Sequence, residues 1–189
     1  MIKSRSELYE YIEADRRANS RDTSRARIFG DEIWKFQKIL RKLDYYSFRK
    51  RNALLMPIYM IYKMLFHKLS IKLGFTIPFN RIGKGFSIAH YGTIVIAKEA
   101  EIGENFRCHE GVNIGSTNGN SSAPRIGNNV FVGSGAKILG DITVANGVCI
   151  GAGAVVVHSI VEENTTWAGV PAKKISDNSS TANLSKMLF

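Results

Sequence analysis

The chain has 189 residues, 26 Lys and Arg against 16 Asp and Glu, and a formal net charge of +10. This length allows one compact domain with an extension, and 44% hydrophobic residues exclude a disordered or collagen-like chain. The two cysteines, Cys108 and Cys149, are too few for a disulfide framework and favour a reducing compartment. The first residues lack the pattern of a secretory signal, so we expect a cytoplasmic protein.

The first 75 residues are predicted to be helical. Apolar residues recur at spacings of three and four from Ser6 to Ala18 and from Asp31 to Asp44, and Asp31 is a plausible helix start. Basic residues are concentrated in the first 51 residues, but no nucleic-acid-binding motif accompanies them. We therefore expect no nucleic-acid partner, and interpret the charge as a solvated helix face or as attraction to an anionic ligand or membrane surface.

Residues 52–75 are strongly apolar, but four basic side chains interrupt any run of the ~18 apolar residues that a membrane span requires. Two interpretations remain open. We favour a helix packed against neighbouring helices or subunits. The alternative is an interfacial helix with its basic residues near anionic headgroups, which would give a weak membrane-surface association.

Residues 82–161 carry a six-residue repeat of the form aliphatic, small, any, any, small, any. This period predicts a solenoid in which each repeat supplies one short strand and a turn, and three strands make one triangular coil. Longer segments after Ile88 and Ile114 are expected to project at corners and leave the stack intact. A polar tail at residues 176–189 is expected to be loose. The repeats begin at Ile82, Ile88, Ile96, Ile102, Cys108, Ile114, Ile126, Val132, Ile138, Val144, Ile150 and Val156.

Every third repeat should lie on the same face, about 4.8 Å from its neighbour. One such column consists of the repeats that begin at Ile88, Cys108, Val132 and Ile150. Its third positions are His90, Glu110, Ser134 and Ala152. An outward imidazole near a carboxylate is a candidate general base, and His109 stands beside Glu110. The small residues further along leave room for an extended ligand to approach the backbone.

These residues resemble the hexapeptide acyltransferases of the left-handed parallel β-helix class, and within them the serine acetyltransferase-like branch. The segments IAHYGTIVI, VGSGAKILGDI, IGAGAVV and WAGVPAKKI carry the resemblance, which covers about residues 75–175. It implies a mainly β fold with an N-terminal α-helical extension, divided into residues 1–75, 76–175 and the tail 176–189. It also implies homotrimers that bind acetyl-CoA between adjacent solenoids, and leaves open whether two trimers associate through their helical regions.

The resemblance places His90 on the catalytic histidine that takes a proton from the acceptor hydroxyl. It places Ser134 and Ala152 on positions that contact the pantetheine arm of acetyl-CoA, and Ser116 and Thr117 on contacts at the start of an extruded loop. No metal ion is implied.

The other candidate residues rest on their chemistry. Lys173 follows the Gly-Val-Pro-Ala turn and is a candidate partner for CoA phosphates. Glu110 is a candidate to orient His90 from the next coil, although outward carboxylates are usually only solvated. His109 either contacts substrate or lines a subunit interface, and Arg125 is a candidate substrate contact at the end of the loop.

Two departures from the serine acetyltransferase pattern bear on the acceptor. The family carries Asp before its catalytic histidine, where this chain has Ala89, and Arg-His-Pro in the extruded loop, where this chain has Ala123, Pro124 and Arg125. We therefore predict an acetyl-CoA-dependent O-acetyltransferase that acts on a hydroxyl of a sugar or sugar-derived precursor in surface-polysaccharide biosynthesis, with serine O-acetyltransferase as the alternative.

Two other classes of function remain as alternatives. A metal-dependent hydratase on the same solenoid needs three histidines, of which His90 and His109 supply two and no third is evident. A non-enzymatic scaffold would use the helical region to recruit a partner enzyme.

Overall fold

A computed structural model describes residues 2–50, 52–117 and 122–188. The chain begins with the helices α1 (Arg5–Ala18), α2 (Glu32–Phe48) and α3 (Met56–Leu73). Ser4 caps α1, since its side chain accepts a hydrogen bond from the backbone N–H of Glu7. Asp31 precedes α2, as predicted, but its carboxylate accepts hydrogen bonds from Arg21 and from the backbone N–H of Arg27. Asp31 therefore fixes the loop that leads into α2.

Short strands follow α3 and form three sheets. The first sheet contains β1 (Phe75–Thr76), β3 (Ile94–Ile96), β6 (Asn113–Gly115), β9 (Lys137–Leu139) and β12 (Val155–Val156). The second contains β4 (Glu101–Ile102), β7 (Arg125–Ile126) and β10 (Thr143–Val144). The third contains β2 (Ser87–Ile88), β5 (Arg107–Cys108), β8 (Phe131–Val132), β11 (Cys149–Ile150), β13 (Thr166–Ala168) and β14 (Lys173–Ser176). From β2 to β12 the chain visits the third, first and second sheets in rotation, and these strands pair in parallel.

The register confirms that three repeats make one coil. Ile88 pairs with Cys108, Cys108 with Val132, and Val132 with Ile150. These four side chains are at most 4% exposed and lie in a continuous core. A single repeat could not exclude water from its own aliphatic residue, so the stacking of coils supplies the burial.

The insertion between Ile114 and Ile126 leaves the stack intact, as predicted. Ile114 still pairs with Ile138 on one side of the insertion, and Ile102 pairs with Ile126 on the other. Part of this loop, residues 118–121, lies outside the described residues.

Helix α3 is packed on one side only. Phe66 stacks on Phe36 of α2 with ring centroids 5.2 Å apart, and Leu73 is buried near β1. On this side the helix packs against a neighbouring helix, as we predicted for residues 52–75. The opposite side exposes large apolar side chains, among them Met60, Met64 and Ile71. Among the described residues, no helix is both long enough and apolar enough to cross a membrane.

The C-terminal tail differs from its prediction. Residues Ser180–Asn183 and Lys186–Leu188 form two 3-10 turns rather than a loose segment. The backbone N–H of Ser180 donates to the carbonyl of Gly147 at 2.9 Å, and its hydroxyl donates to the carbonyl of Asn129. Because the backbone N–H and the hydroxyl of Ser180 satisfy two solenoid carbonyls, the polar tail is held against the solenoid.

A buried ion cluster joins the helices to the solenoid. The guanidinium of Arg41, 1% exposed, donates to both carboxylate oxygens of Asp15 at 2.7 and 3.1 Å. It also donates to the carbonyls of Ile82 and Gly83 at 2.8 and 2.6 Å, and lies 3.4 Å from Asp44. Arg41, which we interpreted as part of a solvated basic face, is therefore an internal connection between α1, α2 and the first coil.

Asp44 should make the stability of the protein depend on pH. Burial raises the pKa of Asp44 from 3.8 to about 6, although the charge of Arg41 opposes this shift. A raised folded pKa means that the folded protein holds the proton more tightly than the unfolded chain. The stabilisation is therefore present below about pH 4 and is lost as the pH rises through about 6. Two pKa units correspond to about 3 kcal/mol.

We expect the Asp44→Asn variant to become more stable relative to wild type as the pH rises from 4 to 7.5. The difference between their unfolding free energies should change by up to about 3 kcal/mol over this range. Urea denaturation at the two pH values measures this difference. An identical offset at both values would show that Asp44 titrates normally.

Candidate active site

The predicted column brings three polar side chains together at the corner that follows β2 and β5. His90, His109 and Glu110 each offer a nitrogen or oxygen atom, and these atoms lie within 4.8 Å of one another. The two imidazoles meet edge to face with ring centroids 5.3 Å apart. The His109 ring also packs edge to face on Phe131, at 5.1 Å, which fixes its orientation. His90 itself is exposed, as a base that meets an external acceptor must be.

Glu110 is held by the next coil. Its Oε1 accepts a hydrogen bond from the hydroxyl of Ser134, and this bond lowers the pKa of the Glu110 carboxyl, with His90 and His109 acting in the same direction. Its Oε2 is buried and has no hydrogen-bond partner among the described residues. Glu110 is therefore an ionised group with one oxygen engaged and one free. The prediction that it orients His90 remains a prediction, because the fixed bond goes to Ser134.

The electrostatics of His109 favour its neutral form. Partial burial lowers the pKa of its imidazole, and electrostatic interactions with Arg107 and His90 act in the same direction, while Glu110 opposes them. A neutral imidazole donates a hydrogen bond from one ring nitrogen and accepts one at the other. His109 is thus suited to contact an acceptor, and a place in a subunit interface stays its alternative predicted role.

Glycines allow the coils to approach closely around this corner. A Cβ on Gly92, whose φ is +134°, would lie 2.9 Å from the Cβ of Glu110. A Cβ on Gly133 would lie 2.6 Å from the backbone nitrogen of Ala152. The column of His90, Glu110, Ser134 and Ala152 therefore has the close spacing that the register predicts.

The other predicted site residues lie away from this corner. Ser116 and Thr117 are exposed directly after β6 of the first sheet. Lys173 is exposed in β14, whereas its neighbour Lys174 is engaged by Glu162 and Asp177. One protomer thus does not unite these residues with His90.

Arg125 is also on another face. It belongs to β7 of the second sheet, lies 3.6 Å from Asp141, and lines a cavity of about 410 Å³ together with Arg81 and Glu101. Its predicted contact with substrate would need a second protomer.

Sequence reasoning missed Arg107. It lies in β5, two residues before His109, so the alternation of side chains along a strand places both on the outward face. Its Nε is buried and has no hydrogen-bond partner among the described residues, and desolvation lowers the pKa of its guanidinium. The alternation of side chains along the strand could have identified Arg107. It was overlooked because it directly precedes the repeat that begins at Cys108, and only positions within that repeat were considered as candidate site residues.

The cysteines have no nucleophilic role in this arrangement. Burial raises the pKa of the Cys108 thiol to about 12 and also raises that of Cys149. The thiolate, which is the reactive form, is therefore suppressed at neutral pH.

The same three groups bear on the hydratase alternative. Two imidazoles and a carboxylate can hold a divalent transition metal, so Glu110 supplies the third donor that the sequence did not reveal. Ligands around a tetrahedral zinc ion are about 3.3 Å apart when the bonds are ~2.0–2.1 Å long. The nitrogen and oxygen atoms of His90, His109 and Glu110 lie within 4.8 Å of one another, a limit that is wider than the spacing in a tetrahedral zinc site.

Comparisons with known proteins agree with the hexapeptide-repeat fold. Residues 123–158 match the family described as bacterial transferase hexapeptide (six repeats). A serine acetyltransferase of Bacillus licheniformis is 38% identical over 103 residues, which cover 53% of this chain and 47% of that protein. The chain thus spans about half the length of this curated relative.

Two solved structures are similar over nearly the whole chain. A serine acetyltransferase of Brucella abortus strain S19 in complex with coenzyme A has a TM-score of 0.72 at 26% identity and covers 93% of this chain and 70% of its own. The serine acetyltransferase of Neisseria gonorrhoeae in complex with serine has a TM-score of 0.70 at 25% identity, and the match covers 92% of this chain and 71% of that protein. The predicted resemblance to hexapeptide acyltransferases of the serine acetyltransferase branch is confirmed.

The prediction of a sugar acceptor from surface-polysaccharide biosynthesis is wrong. The relative and the two structures named above are serine acetyltransferases, which supports the alternative instead. The error came from counting lost charges at single aligned positions such as Ala89. A solenoid places side chains of the next coil at the same corner, so a charge absent from one coil can come from another.

Proposed function

We propose that this protein is a serine O-acetyltransferase that moves the acetyl group of acetyl-CoA to the hydroxyl of L-serine. The proposal rests chiefly on an exposed imidazole, His90, beside Glu110 and His109 at one corner of a hexapeptide solenoid. The names of the matching proteins and the complexes with coenzyme A and with serine support this substrate pair.

The proposed architecture is a left-handed parallel β-helix at residues 76–175, preceded by an α-helical region at 1–75 and followed by a C-terminal segment at 176–189. The rotation of the chain through three sheets supports the coiled path. The resemblance to hexapeptide acyltransferases supports its hand.

We further propose a homotrimer with acetyl-CoA in the groove between adjacent solenoids. Ser116 and Thr117 lie at a different corner from His90, so a site that uses both corners needs two protomers. In this arrangement Ser134 and Ala152 form one wall of the pantetheine track. Lys173 contributes a positive charge for the CoA phosphates.

The proposed mechanism is direct transfer without an acyl-enzyme. The imidazole of His90 takes the hydroxyl proton of serine while the hydroxyl oxygen attacks the thioester carbonyl carbon. Backbone N–H groups stabilise the negative charge on the carbonyl oxygen. The carbon–sulfur bond then breaks, the imidazolium returns its proton to the CoA thiolate, and O-acetylserine and CoA are released.

An acceptor panel tests the proposal. Purified protein is supplied with acetyl-CoA and L-serine, or with free and nucleotide-linked sugars, and CoA release is followed through its thiol. We expect turnover with L-serine and only background hydrolysis with the sugars. Turnover confined to a sugar would contradict the proposal, and a stoichiometric metal ion in the purified protein would favour the hydratase.

A further inference from the structure

Two charged side chains of opposite sign, Arg107 and Glu110, lie near His109, and each has a buried polar atom without a hydrogen-bond partner among the described residues. In the described residues, six buried side-chain polar atoms have no hydrogen-bond partner, and two of them are Nε of Arg107 and Oε2 of Glu110. Both residues belong to β5 or to the turn that immediately follows it. Buried polar atoms are normally satisfied, so two charged side chains with an unsatisfied atom beside the same imidazole mark a place where a polar ligand or an ordered water completes the hydrogen bonds.

The two groups differ in what they can bind. Oε1 of Glu110 is engaged by Ser134, which fixes the carboxylate and leaves Oε2 as a hydrogen-bond acceptor for a cation such as an ammonium group. Arg107 is half-buried and offers N–H donors that match a carboxylate. The imidazoles of His109 and His90 lie at the same corner, within 4.8 Å of the Glu110 carboxylate.

We propose that Glu110 and Arg107 form a binding subsite for a zwitterionic amino acid, in which Glu110 binds the α-ammonium group and Arg107 binds the α-carboxylate. This inference rests on the proposed function, because the hydroxyl of the same amino acid must then reach His90. The charges come from the coil after His90, which explains how the chain can accept serine although Ala89 stands where the resembling enzymes carry Asp.

The test compares three acceptors that share a hydroxyl and differ in charge. L-serine carries both charges, ethanolamine only the ammonium group, and 3-hydroxypropionate only the carboxylate. We expect Glu110→Gln to lower kcat/KM for L-serine about 10- to 100-fold, mainly through KM, and to change that for 3-hydroxypropionate less than about threefold. Arg107→Gln should lower kcat/KM for L-serine and leave kcat/KM for ethanolamine unchanged, because ethanolamine has no carboxylate. Arg107→Lys should retain part of the kcat/KM for L-serine that Arg107→Gln loses.

Matched controls remove the same charges elsewhere. Lys98→Gln and Glu101→Gln replace exposed side chains on other faces and should leave all three acceptors unchanged. If Glu110→Gln instead lowers kcat equally for all three acceptors, Glu110 orients His90 and the inference is overturned. Circular dichroism and native mass confirm that each variant is folded and assembled.

Calorimetry with L-serine in the absence of acetyl-CoA separates this inference from the proposed function. Serine binding that both variants weaken, in a protein without serine turnover, would retain the subsite and reject the transferase. Serine turnover that neither variant selectively changes would retain the transferase and reject the subsite. Absence of any serine binding would overturn the inference.

Discussion

Replacing His90 by Ala is expected to lower kcat for acetyl transfer by about 10²- to 10⁴-fold, the usual contribution of a positioned general base. The side chain is exposed at the corner of the solenoid, so its loss should leave the fold unchanged. The release of CoA from acetyl-CoA in the presence of L-serine measures the effect. KM for acetyl-CoA should change little, because His90 acts on the acceptor.

The matched control is His67→Ala, which removes an exposed histidine from α3. We expect near-normal turnover for this variant. Turnover of His90→Ala within about threefold of wild type would reject His90 as the base. A change in the mass of the assembly would instead assign His90 a role between subunits.

Replacing Arg41 by Met is expected to destabilise the protein by about 3–5 kcal/mol, since it leaves buried carboxylates without a cation. Asp15 and Asp44 would lose their common partner, and the carbonyls of Ile82 and Gly83 would lose a donor. For a chain of this length, each kcal/mol corresponds to about 2–4 °C in Tm, so thermal unfolding should shift by about 6–20 °C.

The control is Arg81→Met, which removes a guanidinium paired with Glu101 at the surface. Its effect should stay below about 1 kcal/mol, the usual value for an exposed pair. Adding Asp15→Asn and Asp44→Asn to Arg41→Met should recover part of the loss, because the unpaired charges are removed. Equal destabilisation by the two Arg substitutions would show that the buried cluster has no special role.

Much of the fold was predictable because a solenoid is repetitive. The spacing of Ile88, Cys108, Val132 and Ile150 predicted the register that pairs them. The same period predicted that His90 and Glu110 would lie in one column, which the structure confirms through their proximity. Helix periodicity likewise predicted α1 and α2 to within a few residues.

The site was only partly predictable. Arg107 was missed, because an arginine on an outward position is ordinarily solvated and only packing reveals that its Nε is buried. The period places Arg125 in the second sheet, directly before Ile126, and the structure has it there beside Asp141. Its contact with the acceptor stays a prediction, because that contact needs a second protomer, which the period of one chain does not describe.

The sequence by itself determined the repeat, the three-repeat coil and the column that contains His90, because each follows from the regular spacing of aliphatic residues along the chain. Only the tertiary structure decided that Arg41 is buried, that the tail packs on the solenoid, and that Glu110 keeps a free oxygen. The physical reason is that no repeat relates these partners to each other. Arg41 meets its partner Asp15 across 26 residues, and such partners depend on how the helices pack on the coils.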